Sequence, residues 1–187
     1  MVAIPEMILG RKLTLDDYCK LPDDQDYEII EGVLHVSPRA RARHQHAASK
    51  FIVLLVNEVE DKGLGVVIPD ADLIVDERDT YISPDIMFFA GDRFSAINPD
   101  EFIRIIPDLV GEVLSPSTRD YDQTVKRDTY ARLGVRHYWT ADAARRQMME
   151  HLLEEDGTYR TRIARAPEVF RPELFPALEI SLARVLG

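Results

Sequence analysis

The chain has 187 residues and 45% apolar content, enough to bury the core of one ordinary globular domain, and this excludes general disorder. A formal charge of −10 argues against a protein that simply coats nucleic acid, while leaving room for an acidic enzyme with a local basic cleft. The longest apolar run, Phe51 to Val56, is too short to span a bilayer, no basic-then-apolar leader opens the chain, and the single cysteine, Cys19, excludes an internal disulfide. No membrane association and a cytoplasmic, reducing compartment are expected.

Met1 to Lys12 reads as a loose arm. Thr14, with Asp17 three residues on, has the spacing of a helix N-cap, and that helix stops near Leu21-Pro22. Tyr27 to Pro38 reads as a hairpin turning at Glu31-Gly32, with Ile29, Val33 and Val36 as core candidates. Arg39 to Lys62 is the best helical pattern: Ala47, Phe51, Leu54, Leu55, Val56 and Val59 recur near helical spacing, and Gly63 and Gly65 close it. Its start is basic, with Arg39, Arg41, Arg43, His44 and His46.

Short strands are expected at Val66–Ile68, Leu73–Val75 and Ile86–Phe89, with a charged turn over Asp76 to Thr80 and a surface loop over Arg93 to Phe102. Leu109 to Leu114 is a further strand, entered after Pro107 and left through Ser115-Pro116-Ser117. Asp120 opens a second helix that runs to Leu133 and ends at Gly134. Then come a buried strand at His137–Thr140, a hairpin of Met148–Leu153 and Tyr159–Ile163, and a short helix over Ser181–Leu186. Helix, strands, helix and strand in this order predict an α/β (α+β) fold, a sheet with helices on its faces, and nothing divides residues 1–187 into more than one domain.

Three residues carry the chemistry. Asp85 opens an apolar strand just after Pro84. Glu112 lies inside a buried strand, where an isolated carboxylate is costly and must find a partner. Lys126 is the one lysine after Lys62 and sits on the helical stripe of Asp122, Tyr130 and Leu133, which should meet the sheet. If the helix folds back over the strand before it, Lys126 approaches Glu112. Asp85 and Glu112 then offer oxygen to one Mg²⁺ or Mn²⁺, with the main-chain carbonyl of Val113 as a further ligand, and Lys126 can orient a water or stabilise charge on phosphorus. Each residue also has a plainer reading: a strand-opening turn, a salt-bridged glutamate and a snorkelling lysine.

Ser83-Pro84-Asp85, the string Glu112-Val113-Leu114-Ser115-Pro116-Ser117-Thr118, Lys126 through Tyr130 to Gly134-Val135, then Tyr138-Trp139 and Asp142, resemble the Uma2 family of the PD-(D/E)XK nuclease-like superfamily. The Tyr27–Gly32 hairpin and His44 fit the same pattern, and the resemblance spans residues 13–142, with a C-terminal hairpin and short helix beyond it. It implies a restriction-endonuclease-like mixed central sheet flanked by helices, a divalent metal, and a nucleic-acid substrate, DNA foremost. Carried over, Asp85 and Glu112 are the metal-binding pair, and Lys126 replaces the lysine usually found two residues after the glutamate, where this chain has Leu114.

Glu28 is a further metal candidate and Glu31 a weaker one, because Glu31 sits in the turn; either can equally be a solvated hairpin carboxylate. His44 is a candidate for phosphate or metal contact, or an exposed helix-start histidine. Ser117, Arg119 and Arg127 are candidates for phosphate contact, with turn and cap roles for the serines as the alternative. Gly111 either eases a ligand's approach or serves packing, and Tyr138 and Trp139 read as core. The leading expectation is a metal-dependent endonuclease, with a homodimer as its expected assembly. The other is a non-catalytic nucleic-acid- or protein-binding module on the same fold, and an arginine-ringed or acidic site rim discriminates the two.

Overall fold

A six-stranded sheet and a four-stranded sheet meet along a shared apolar layer, and the candidate residues project into that layer. The computed structural model describes residues 11–22, 25–37, 41–75 and 79–187. The proposed arm is therefore largely outside the described residues, and Pro38, Arg39 and the first three residues of the Asp76–Thr80 turn lie outside them.

The short helix α1 (Leu15–Tyr18) begins at Thr14 with a full capping box: the Thr14 side chain accepts from the Asp17 amide and Asp17 returns to the Thr14 amide. Strands β1 (Asp26–Ile30) and β2 (Val33–Ser37) form the expected hairpin, and Glu31 and Gly32 take positive φ of 52° and 82°. Ile29 is buried, but Val33 and Val36 are exposed. Strand β2 lies at the edge of the small sheet, whose order is β2-β1-β5-β4, with β4 at Leu73–Val75 and β5 at Thr80–Ile82. An edge strand covered on few sides cannot bury every valine it carries. Strand β5 was hidden in the sequence because only three residues pair, directly after a charged stretch.

Helix α2 (Ala42–Leu55) buries Ala47, Ala48, Phe51 and Leu55, then widens into a π-helical turn over Val56–Glu60. The expected helix is thus real over Ala42 to Glu60 but not uniformly α. Strands β3 (Gly65–Pro69), β6 (Ile86–Ala90), β7 (Leu109–Val113), β8 (His137–Asp142), β9 (Gln147–Leu153) and β10 (Tyr159–Arg165) make the large sheet in the order β10-β9-β8-β7-β6-β3. Only β7 and β8 run parallel, joined through the helical crossover that follows β7. Residues 93–96 make a 3₁₀ turn within the expected loop. Two further short strands, β11 (Val169–Phe170) and β12 (Ile180–Ser181), precede α5 (Leu182–Val185), and two residues each are too few for a sequence signal.

The crossover is α3 (Arg119–Tyr121), a π-helical turn over Asp122–Lys126, and α4 (Arg127–Leu133). Gly134 ends it at φ 82°, with Val135 N–H donating to the Tyr130 carbonyl. Period-two alternation then sets the faces of β7. Leu109 and Val113 turn to the layer under α2, whereas Val110 and Glu112 turn to the layer under α4 and the small sheet. Gly111 pairs with Ile86, and a Cβ at that position would meet the Ile86 side chain at 3.4 Å, an ordinary contact. No helix among the described residues is long and apolar enough to cross a membrane.

Gly65 marks the closest approach of β3 to β6. A Cβ there would lie 2.1 Å from the Phe89 carbonyl oxygen and 2.7 Å from the Phe88 ring. Gly65→Ala is therefore expected to lower unfolding free energy by about 1–3 kcal/mol, the range for overpacked sites. Coincident urea melts for variant and wild type would show that the strand pair yields at no cost.

Candidate active site

Asp85 precedes β6 and sits one strand from Glu112. Its Oδ2 accepts the Val113 amide at 2.6 Å and lies 3.1 Å from His44 Nε2. The end of β7, the start of β6 and the first turn of α2 are thus tied by one carboxylate oxygen. His44 has its proton affinity lowered by burial, but its hydrogen bond to Asp85, the charges of Asp85 and Asp122, and the Val113 backbone outweigh that and raise its pKa.

Glu112 is buried, 4% exposed, and its Oε1 accepts from Lys126 Nζ at 2.9 Å and from the Tyr130 hydroxyl at 2.7 Å. Lys126 Nζ also lies 2.8 Å from Glu28 Oε1 and 3.9 Å from Asp122 Oδ1. Glu28 shares the face of β1 with Ile30, and its Oε1 accepts the Ser83 amide as well. One ammonium therefore serves Glu112 of the large sheet, Glu28 of the small sheet and Asp122 of its own helix.

Burial acts to lower the pKa of Lys126, but Glu112, Glu28, Tyr130 and Asp122 outweigh it, so the ammonium is held charged. Burial raises Glu112 well above the ordinary carboxylate range, and Asp85, Asp122 and Glu28 add to the rise against the pull of Lys126. Asp122 rises from 3.8 to about 6, again chiefly through burial. Three carboxylates, Glu28, Glu112 and Asp122, thus surround one lysine, Asp85 adds its charge against Glu112 and Asp122, and the cluster is short of positive charge.

These side chains open into a cleft of about 1140 Å³, also lined by Arg41, Arg43, Ser115, Ser117 and Thr118. The serine and threonine hydroxyls bond one another: Ser115 Oγ is 2.9 Å from Ser117 Oγ and 3.0 Å from Thr118 Oγ1. Asp26, Glu28, Asp70, Asp72, Asp85, Glu112 and Asp122 line the same cleft, seven carboxylates against Arg41, Arg43 and Lys126.

The structure brings Asp85, Glu112, Lys126, Glu28, His44 and Val113 together and places Ser117 on the cleft wall. Glu31 is elsewhere, exposed and 3.2 Å from Arg132. Arg119 binds buried Asp142 at 2.9 Å, and Arg127 pairs with Asp128; neither lines the cleft. Arg39 lies outside the described residues. Tyr130 and Asp122 join the site without having been singled out for it. Their signal was present in the sequence, four residues to either side of Lys126 on one stripe.

A family model, Uma2, described as "Putative restriction endonuclease", matches residues 15–183. The chain belongs to the Uma2 family. The Uma2 fold is also seen in a crystal structure titled as that of a "putative nuclease belonging to DUF820" from Anabaena variabilis ATCC 29413, with a TM-score of 0.77 at 21% identity, covering 93% of this chain and 97% of that one. No curated protein matches the sequence. The Uma2 assignment and the shared fold give the mixed sheet with flanking helices its place among restriction-endonuclease-like folds.

The electrostatics of Asp122 carry a pH signature. The folded state binds this proton more tightly than the unfolded chain, so the group opposes stability above pH 6 and ceases to do so below pH 4. Asp122→Asn is expected to be more stable than wild type at pH 7 by up to about 3 kcal/mol. The difference should shrink as pH falls through 6 toward 4. Denaturant titrations of both proteins at pH 4, 5, 6 and 7 check this, and a pH-independent difference would contradict it.

Proposed function

We propose that this Uma2-family chain is a metal-dependent nuclease that hydrolyses phosphodiester bonds, with DNA as its substrate. The observation that carries the reading is the convergence of Asp85 and Glu112, from neighbouring strands, on one cleft with Lys126 seated against Glu112. Family membership and the nuclease-titled neighbour of the same fold support it.

The donor chemistry fits a hard divalent cation. The cluster lacks positive charge and offers carboxylate oxygen, the ligand type of Mg²⁺ and Mn²⁺. Among the described residues no group of three or more His, Cys, Asp or Glu side chains is arranged to hold a metal ion. Mg²⁺ does not require such a group, being commonly held by one or two carboxylates with water and substrate phosphate in the other positions. Asp85 and Glu112 would hold it, with the Val113 carbonyl as a candidate further ligand. When bound, such a cation polarises a phosphoryl oxygen and lowers the pKa of a water.

The chain's own groups do the remainder. Lys126 keeps a fixed positive charge at the base of the cleft, where negative charge develops on the reacting phosphate. Arg41 and Arg43 bring cations to the cleft for the phosphates of the strand, and Ser117 offers a hydroxyl on its wall. Glu28 shares Lys126 with Glu112 and keeps the ammonium between the two sheets.

The excess of carboxylates over arginines in the cleft favours one other reading, a binding module that kept the fold without the reaction. Cleavage separates the two. Supercoiled and linear DNA incubated with wild type and Mg²⁺ or Mn²⁺ should be cut, and chelation should stop it. Asp85→Ala and Glu112→Ala should each lose at least about 100-fold in rate while keeping the wild-type circular dichroism. Variants as active as wild type would overturn the site, and an inert wild type with either metal would favour the binding module.

A further inference from the structure

Tyr130 has no part in the mechanism above, yet it is wholly buried and its hydroxyl touches the candidate metal-binding glutamate. Its neighbours in the aromatic stack do something different. Tyr138, with its ring centroid 4.9 Å from that of Tyr130, donates to the Asp122 carbonyl at 2.9 Å. Tyr159, next in the stack, donates to the Val135 carbonyl at 2.7 Å. Both satisfy their phenol through the backbone. Tyr130 alone of the three directs its proton to a carboxylate oxygen, Glu112 Oε1, at 2.7 Å.

Lys126 meets the same oxygen from one helical turn earlier. The two donors are not equivalent. Lys126 has a flexible stem and shares its ammonium with Glu28 and Asp122. Tyr130 has one donor, one acceptor and a ring locked by packing. The terminal torsion of a glutamate is otherwise broad, so a carboxylate without a fixed donor samples many orientations. A single rigid hydrogen bond at Oε1 removes that freedom.

We propose that Tyr130 is a positioning residue: it locks Glu112 through Oε1 and so presents the other oxygen, Oε2, to a hard divalent cation in the cleft. This rests on the metal-dependent reading. Outer groups that orient metal ligands typically change metal affinity about 10–100-fold when removed.

The test is calorimetric titration of Mn²⁺ alone into wild type, Tyr130→Phe and Tyr159→Phe, with the thermal midpoint of each metal-free protein measured alongside. Tyr130→Phe keeps the ring and deletes only the hydroxyl. It should bind Mn²⁺ about 10-fold more weakly or worse. Tyr159→Phe, which deletes a hydroxyl from the same stack away from the cleft, should bind as wild type does. A crystal structure of metal-free Tyr130→Phe should show the Glu112 carboxylate rotated from its wild-type orientation. Wild-type affinity in Tyr130→Phe, or an equal loss in Tyr159→Phe, overturns the positioning role and leaves the metal site standing. A wild type that takes up no Mn²⁺ overturns the metal site itself, and the positioning role with it.

Discussion

The interaction on which the rest depends is the buried ammonium of Lys126, held between Glu112 of one sheet and Glu28 of the other. Bringing three charged groups out of water is costly, and their mutual attraction offsets that cost only where geometry is tight and every donor is used. Here the lysine reaches two carboxylates within 2.9 Å and a third at 3.9 Å, while Tyr130 and the Ser83 amide supply additional donors. The arrangement fixes where the small sheet sits on the large one. Apolar contact alone, through Ile30, Ile82, Met87 and Val110, would tolerate sliding; a shared cation does not.

The same arrangement places the chemistry. Alternation along β7 turns Glu112 into the layer between the sheets, and the parallel crossover returns a helix over that layer. Asp85 reaches the strand end from the adjacent β6, where it accepts the Val113 amide. Deep in the cleft, then, lie carboxylates raised in proton affinity and one permanent cation. A local shortage of positive charge of this kind is a known mark of sites built for ions or for proton transfer.

Much of this was legible in the sequence, for identifiable reasons. The Thr14 cap, the Glu31-Gly32 turn and the Gly134 stop are local devices, written in the residues that form them. Lys126 was conspicuous because a lysine on an apolar stripe needs a partner, and Glu112 was the buried carboxylate nearest in chain order. Other features were not local. Whether Val33 and Val36 are buried depends on β2 having a neighbour on one side alone, which no window of sequence contains. Strand β5 exists because β1 and β4 pair with it, not through any pattern of its own three residues. Glu28 could be assigned a face by alternation, but its partner lies nearly a hundred residues on. Arg119 and Arg127 fell near the site in sequence and away from it in space, drawn to Asp142 and Asp128.

The π-helical turn over Asp122–Lys126 has a consequence for how this segment can change in length. The Arg127 amide donates back to the Asp122 carbonyl, five residues away, so the turn holds one residue more than an α-helix would need. A single deletion within it would restore regular α geometry and leave composition, amphipathic character and helix propensity nearly intact. It would leave the residues before and after the turn in nearly the same relative orientation, because a π turn closes about one revolution with one residue more than an α turn does. With Gln123, Thr124 or Val125 removed, Asp122 would stand three residues before Lys126 and Tyr130 still four after it, so both would keep its face. The turn is thus the one stretch of this crossover where the chain can lose a residue while Lys126 and Tyr130 hold their places against Glu112.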